Sequence, residues 1–292
     1  MQKLDNKELM PVILLGAGRS GTKFLRSVLA SSSEVVAVPY DVGYVWRYGN
    51  ESISHDQFTS EMLKNNITAY IRNTLPKLAN RIGKPHARFM VEKSVPNTLR
   101  PNFVYSIYPE AKYIHLIRDG RAVTESSMRM WVQPADKSYL MKKLKYFPWS
   151  NYKYAWWYLS NMVKGKFSGK RGQHIWGPRY IGIDEDAANL PLATVCSKQW
   201  RMCVEIAQQQ LKQIPTSQIM EVRYEELMND SSCLEKLCDF IGIKDKQNVL
   251  QYFESHVDVK NLSAWKSRLS QESYDLIMTE ISETLNRLGY NH

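Results

Sequence analysis

Two short stretches of the chain carry side chains able to hold anions. The first is "VILLGAGRSGTKFLRSVL", residues 12–29. An apolar run passes through Gly16, Gly18 and Gly21 and then turns amphipathic, which predicts a strand, a turn and a helix. The N–H groups of such a turn and of the helix start form a cradle for a phosphate-like group. Gly16, Gly18 and Gly21 spell G-x-G-x-x-G, the dinucleotide pattern, and Asp41 stands near enough downstream to take a ribose. Gly16, Gly21, Thr22 and Lys23 also approach the ATP-binding P-loop, but with its last two letters exchanged. In that loop the hydroxyl after the lysine reaches Mg²⁺, so the Thr22–Lys23 order weakens the metal-bound ATP reading. The glycines alone leave both patterns open.

The second stretch is "YIHLIRDGRAVTESSMRM", residues 113–130. Arg118 closes a predicted central strand, and Ser126 follows on the next helix. Ligands of an open parallel sheet gather at the carboxyl ends of its strands. Arg118 is therefore expected beside the cradle, able to take a second phosphate in bidentate fashion. A surface pairing of Arg118 with Asp119 is the competing reading.

The elements that must position these groups follow from hydrophobic period. Strands are predicted over 12–16, 34–38, 87–93, 111–119 and 217–224. Helices are predicted over 21–31, 57–82, 97–109, from about 120, and over 196–213, 231–242 and 270–288. Strands alternating with helices imply an α/β chain, a central parallel sheet in a three-layer α/β/α arrangement. Residues 131–195 differ: they are rich in Trp, Tyr, Lys and Gly and weakly periodic. They read as an elaboration over the domain rather than as core.

The 292 residues are 43% hydrophobic and 23% charged, which fits a globular chain and excludes a disordered one. No stretch reaches the roughly 18 apolar residues of a membrane helix. The start, "MQKLDNKELMPV", lacks the pattern of a secretory signal. A cytoplasmic protein without a membrane span is the expectation. Cys196, Cys203, Cys233 and Cys238 have no C-x-x-C spacing, so buried reduced thiols are expected and no metal site. The net charge of +10 favours an anionic partner: nucleic acid, lipid headgroups, a phosphorylated cofactor or an acidic polysaccharide.

"GAGRSGTKFL" joined to "LIRDGRAVTESS" resembles the sulfotransferases that use 3′-phosphoadenosine 5′-phosphosulfate (PAPS). The likeness continues in "VEKSVPNTLRPNFVYSIYPEAKYIHLIRDGRA", in "EVRYEEL" (221–227) and in "NLSAWKSRLS…LNRLGY" (261–290). Five motifs stand in the family's order, over most of the chain except 131–195. Their spacing is closer to the tyrosylprotein and bacterial glycan branches than to the cytosolic phenol enzymes. The resemblance implies a P-loop-like fold and one domain over 1–292, with 131–195 as a mostly helical insert on the acceptor side.

It also implies roles. Gly18, Arg19, Ser20, Gly21, Thr22 and Lys23 would hold the 5′-phosphosulfate, with no metal, and Arg118 and Ser126 the 3′-phosphate. Lys93 would face the bridging oxygen, Arg19 and Ser263 would touch the transferred group, Tyr224 would pack near the adenosine and Lys266 would reach the 3′ side. Other readings are a solvated lysine for Lys93, a helix N-cap for Ser263 and a core position for Tyr224. Asp41 is the chosen general base, with Glu92 in reserve, although strand alternation points Glu92 away. PAPS would be the co-substrate and 3′,5′-diphosphoadenosine (PAP) the product.

The acceptor would be a hydroxyl, with a saccharide ranked above a tyrosyl peptide and both above nucleic acid. Trp149, Trp156, Trp157, Trp176 and Tyr180 could stack on sugar rings, beside basic residues in 141–147 and 163–172. A small-molecule kinase using Mg-ATP and a non-catalytic nucleotide or nucleic-acid binder remain as alternatives.

Overall fold

The computed structural model describes residues 9–133, 175–259 and 262–290. Five strands form one sheet: β1 (Met10–Leu15), β2 (Val35–Ala37), β3 (Phe89–Glu92), β4 (Lys112–Ile117) and β5 (Ile219–Arg223). Their spatial order is β2-β3-β1-β4-β5, and every pairing is parallel. Strands covered on both faces favour apolar residues. In β1, Ile13 and Leu15 enter one core cluster while Val12 and Leu14 enter another.

Helices cover both faces, giving the expected three layers. The cradle leads into α1 (Thr22–Leu29), and the short α2 (Gly43–Trp46) follows β2. One face is completed by α3 (Asn65–Ala79) and α4 (Pro101–Ile107), whose apolar residues join Ile13 and Leu15. After β4 comes α5 (Gly120–Val132), then α6 (Ile183–Asn189) and α7 (Leu192–Leu211). Beyond β5 lie α8 (Tyr224–Asn229), α9 (Ser231–Ile241), α10 (Lys246–His256), α11 (Trp265–Arg268) and α12 (Gln271–Arg287). α9 and α10 pack with α1 on the Val12 face, while α5, α7 and α12 share a third cluster.

The helix expected over 57–82 starts later, at Asn65, and is preceded by a single turn at Ser60–Met62. The helix expected over 97–109 is divided: a tight turn spans Val95–Leu99, and Pro101 opens α4 at a position where its missing N–H costs nothing. The end of the 131–195 segment corrects the expectation that it lies outside the core. Tyr180, Ile183, Ala193 and Val195 are buried with α7 and α12. Residues 134–174 lie outside the described residues, and with them Trp149, Trp156, Trp157 and both basic runs. No helix among the described residues is long and apolar enough to cross a membrane. Cys196, Cys203 and Cys238 are buried free thiols and Cys233 is half-buried.

Candidate active site

β1, β3, β4 and β5 each deliver a predicted group at the carboxyl edge of the sheet. β1 is the pivot: the chain leaves it to one side for β2 and β3, then crosses to the other for β4 and β5. This is where ligands bind in such sheets.

The cradle, Gly16–Gly21, bends tightly over β1. Thr98 fixes its first residue, accepting from the Gly16 N–H at 2.8 Å and donating to the Gly16 carbonyl at 3.0 Å. Gly21 has φ +89°, a left-handed conformation, and a methyl group there would lie 2.3 Å from the Tyr224 ring. Arg19 is the one non-glycine among the described residues with positive φ, at 71°. Such a conformation costs an L-residue about 1–2 kcal/mol. Two contacts hold it: the Arg19 Nε donates to Ser126 Oγ at 2.9 Å, and Arg118 Nη1 donates to the Arg19 carbonyl at 3.1 Å. The two sequence motifs thus meet side chain to side chain. Ser20 is 1% exposed, yet its hydroxyl has no hydrogen-bond partner among the described residues. A buried, orphaned donor in an anion cradle fits a ligand oxygen. Thr22 is buried at the start of α1, and Lys23 is exposed.

Arg118 follows β4 directly. It does not pair with Asp119, which instead caps α5 and holds Arg121 at 2.9 Å. The Arg118 guanidinium lies 4.5 Å above the Tyr224 ring, and its carbonyl accepts from Trp200 Nε1 at 3.1 Å. Burial lowers the pKa of Arg19, and the Arg129 and Arg118 charges lower it further, against Glu125. Arg19 keeps an exposed face, beside the like charges of Arg129 and Arg118. A guanidinium stays protonated under such stress, and the crowding is relieved by an arriving anion. Arg129 has its own partner, Glu125, at 2.6 Å.

On the other side of β1, Lys93 follows β3. It is 7% exposed and not a solvated lysine. Its Nζ donates to both Asp41 oxygens, at 2.9 and 3.1 Å. Asp41 is half-buried, with a face open to an incoming group. Glu92 points the other way, as strand alternation requires, and is fully buried. Trp46, Ser94 and Asn97 all donate to it, which removes it as the reserve base. Two residues on, Val95 reaches toward Gly18, where the Trp176 indole closes against the loop; a methyl group on Gly18 would lie 3.0 Å from that ring.

Tyr224 is 8% exposed, so its core reading and its place behind the cradle hold together. Ser263 is exposed and does not cap a helix through its side chain: Ala264 precedes α11, and only the Ser263 carbonyl accepts, from the Lys266 N–H at 3.0 Å. Lys266 is exposed, its Nζ 5.8 Å from the Trp265 ring. The Arg121 guanidinium lies over the same Trp265 ring, 4.8 Å from its centroid, which sets α11 against the start of α5. Among the described residues no hydrogen bond joins the side chain of Ser263 or Lys266 to the cradle. Tyr180 is not available for stacking: it is 1% exposed and donates to Asp186. Trp176 is half-buried and remains at the loop.

The sequence reading missed Thr98, Ser94 and Asn97, which brace the cradle and the Lys93 turn. All three lie in "EKSVPNT", and a run of small polar residues after a buried strand was the available signal. No group of three or more metal-ligating side chains occurs among the described residues.

A sequence model described as "Sulfotransferase family" matches residues 11–159, just over half of the chain. The chain belongs to the sulfotransferase family. The matched span contains the cradle, the Asp41–Lys93 pair and the Arg118–Ser126 pair. Solved sulfotransferase structures share the fold. The sulfotransferase domain from the Synechococcus PCC 7002 olefin synthase is 18% identical, with a TM-score of 0.51 over 95% of this chain and 97% of that one. Sulfotransferase STF9 from Mycobacterium avium is 10% identical, with a TM-score of 0.51 over 97% of this chain and 78% of that one. The family fixes the reaction type as sulfuryl transfer to an acceptor.

Proposed function

We propose that this sulfotransferase moves the sulfuryl group of PAPS to an acceptor hydroxyl, by in-line displacement and without a metal. The meeting of Arg19, Arg118 and Ser126 beside the glycine cradle carries the reading, because it offers a second anion site next to the first. PAP and PAPS differ from ADP-type nucleotides in having a 3′-phosphate, and a second site is what that phosphate needs. Gly18, Arg19, Ser20, Gly21, Thr22 and Lys23 hold the 5′-phosphosulfate, the orphaned Ser20 hydroxyl donating to it. Arg118 and Ser126 take the 3′-phosphate, with Tyr224 behind them and Lys266 on the same side.

The acceptor hydroxyl attacks sulfur. Its oxygen–sulfur bond forms as the bond from sulfur to the bridging oxygen breaks. The hydroxyl proton passes to the Asp41 carboxylate. The bridging electron pair leaves on the 5′-phosphate of PAP, where Lys93 meets the developing charge. Arg19 and Ser263 contact the sulfonate. An ammonium has three donors, so Lys93 can hold Asp41 and the bridging oxygen in turn. Positioning and preorganised charge supply most of the rate in the related phosphoryl case.

A saccharide is the acceptor we favour. The basic, aromatic-rich stretch before Trp176 suits a sugar with acidic groups, and 131–195 would form the acceptor side of a single domain spanning the chain. A cytoplasmic setting is part of the same reading.

Calorimetry in EDTA tests the nucleotide part. PAP should bind much more tightly than ADP. Arg118→Ala should remove most of that preference, since a charge-assisted contact is worth about 1.5–3 kcal/mol. Equal affinities for PAP and ADP in the unaltered protein would remove the 3′-phosphate site. A screen with labelled PAPS then identifies the acceptor, and Mg²⁺-dependent ATP turnover would point to a kinase instead.

A further inference from the structure

Among the described residues, Glu92 is the one carboxylate with no exposure to solvent. It ends β3, beside Lys93, and faces away from the cleft. Three donors from different parts of the chain converge on it. Trp46 Nε1 of α2 donates to Oε1 at 3.0 Å, Ser94 Oγ donates to the same oxygen at 2.6 Å, and Asn97 Nδ2 donates to Oε2 at 3.1 Å. Burial raises the pKa of Glu92, while Ser94, Trp46 and the Lys93 charge act against it and Asp41 adds to it. Hydrogen-bond direction shows what its oxygens do here. The indole N–H can only donate. The Asn97 amide cannot turn round, because its oxygen accepts from Arg100 Nε at 3.0 Å. Ser94 already accepts from the Val42 N–H at 3.2 Å, so its own proton goes to Glu92. All three groups donate, so the Glu92 oxygens act as acceptors toward each of them.

Arg47 lies 2.6 Å and Arg100 3.6 Å from Asp56, all three buried. Asp56 thus lies beside two guanidiniums, and the Asn97 amide links Arg100 to Glu92.

The chain of contacts has a direction. Glu92 holds Ser94, Ser94 holds the backbone of Val42, and Val42 follows Asp41. Glu92 itself precedes Lys93. We infer that Glu92 is a positioning residue that fixes Asp41 and Lys93 relative to one another, through the Ser94 hydroxyl and the Val42 N–H on one side and through the β3 backbone on the other. The inference rests on the proposed roles of Asp41 and Lys93 for its catalytic meaning, but not for its geometry.

The side-chain ammonium of Lys93, labelled with ¹⁵N and assigned by its loss in Lys93→Arg, reports the geometry without any turnover. In the unaltered protein, the hydrogen bonds to Asp41 should slow its proton exchange enough to give a distinct signal. Ser94→Ala cuts the link to Val42 while leaving the carboxylate in place, and Glu92→Gln puts an NH₂ against one of the donors. Both variants should bind PAP within about twofold of the unaltered protein. Both should broaden or lose the Lys93 signal, as Asp41→Asn does, and lose about 10- to 100-fold in transfer from labelled PAPS. Glu92→Asp, which keeps a carboxyl, should recover part of the signal. If Glu92→Gln does not fold, Ser94→Ala carries the test. An unchanged Lys93 signal in Ser94→Ala overturns the inference, whatever the rate. A lost signal in Ser94→Ala together with normal transfer by Asp41→Asn upholds the positioning and refutes the proposed base.

Discussion

Gly21 is subject to two separate constraints. Its φ of +89° is disfavoured for any side chain, and the Tyr224 ring occupies the space a methyl group would need. Gly21→Ala should destabilise the protein by more than about 2 kcal/mol, the backbone share alone being about 1–2. Adding Tyr224→Leu should return the steric share and leave the backbone share, a separation that chemical denaturation of the double mutant measures. Lys93 and Asp41 are coupled differently. Lys93→Ala should lower kcat more than it weakens PAPS binding, because the bridging oxygen becomes charged only in the transition state. The loss expected for one such donor is about 3–4 kcal/mol in barrier. Asp41→Asn should also spare nucleotide binding. The two differ in rescue: an acceptor with a more acidic hydroxyl should partly restore Asp41→Asn and do little for Lys93→Ala. Near-normal turnover by Asp41→Asn would place the base elsewhere.

Between elements, one carboxylate joins three pieces of chain. Glu34, just before β2, accepts from the Lys244 and Asp245 N–H groups ahead of α10, at 2.7 and 2.8 Å. Its other oxygen pairs with Arg88 at 2.7 Å, ahead of β3. Burial alone would raise its pKa, but the Asp245 and Lys244 N–H groups and Arg88 outweigh burial and hold it below the ordinary value. A depressed carboxylate stabilises the fold above its unfolded pKa, near 4.3, and that contribution is lost as pH falls through the folded value. Glu34→Gln should therefore cost about 2 kcal/mol at pH 7. The cost should fade below roughly pH 4, and urea titrations at both pH values would record it. A penalty that stays constant with pH would mean that charge is not involved. Elements of this kind were legible to unequal degrees. The strands and the groups following them could be read because a buried parallel strand is mostly apolar and its end is abrupt, as at Ile117 and Arg118. α10 escaped because only Val249 and Phe253 of its residues are buried, too few to set a period. α2 is a single turn, and its contribution, the Trp46 indole on Glu92, depends on a contact across 46 residues of sequence. The meeting of Arg19 with Ser126 could be expected in place but not in detail, since the left-handed Arg19 that permits it leaves no mark on composition.

For the molecule as a whole, the sheet edge gathers groups from the first forty residues and from beyond residue 220. A ligand that spans them should tie the fold together. PAP at 100 times its Kd should add about 2.7 kcal/mol, seen as a rise in Tm of roughly 5 °C for a chain of this size. Arg118→Ala should remove most of that rise at the same PAP concentration, while an equal rise in the variant would show that the nucleotide is held elsewhere. The order of the strands also has a consequence in time. β1 is made well before its neighbours, residues 89–92 and 112–117, and β4 in turn waits for residues 219–223. Pairings so distant in sequence make folding slow. During synthesis, at about 5–20 residues per second, the glycine loop is exposed for many seconds before Tyr224 exists to close behind Gly21. Nucleotide affinity should therefore emerge abruptly and late as the chain lengthens on the ribosome, so a nascent chain stalled short of residue 224 would carry the whole cradle and hold no PAP.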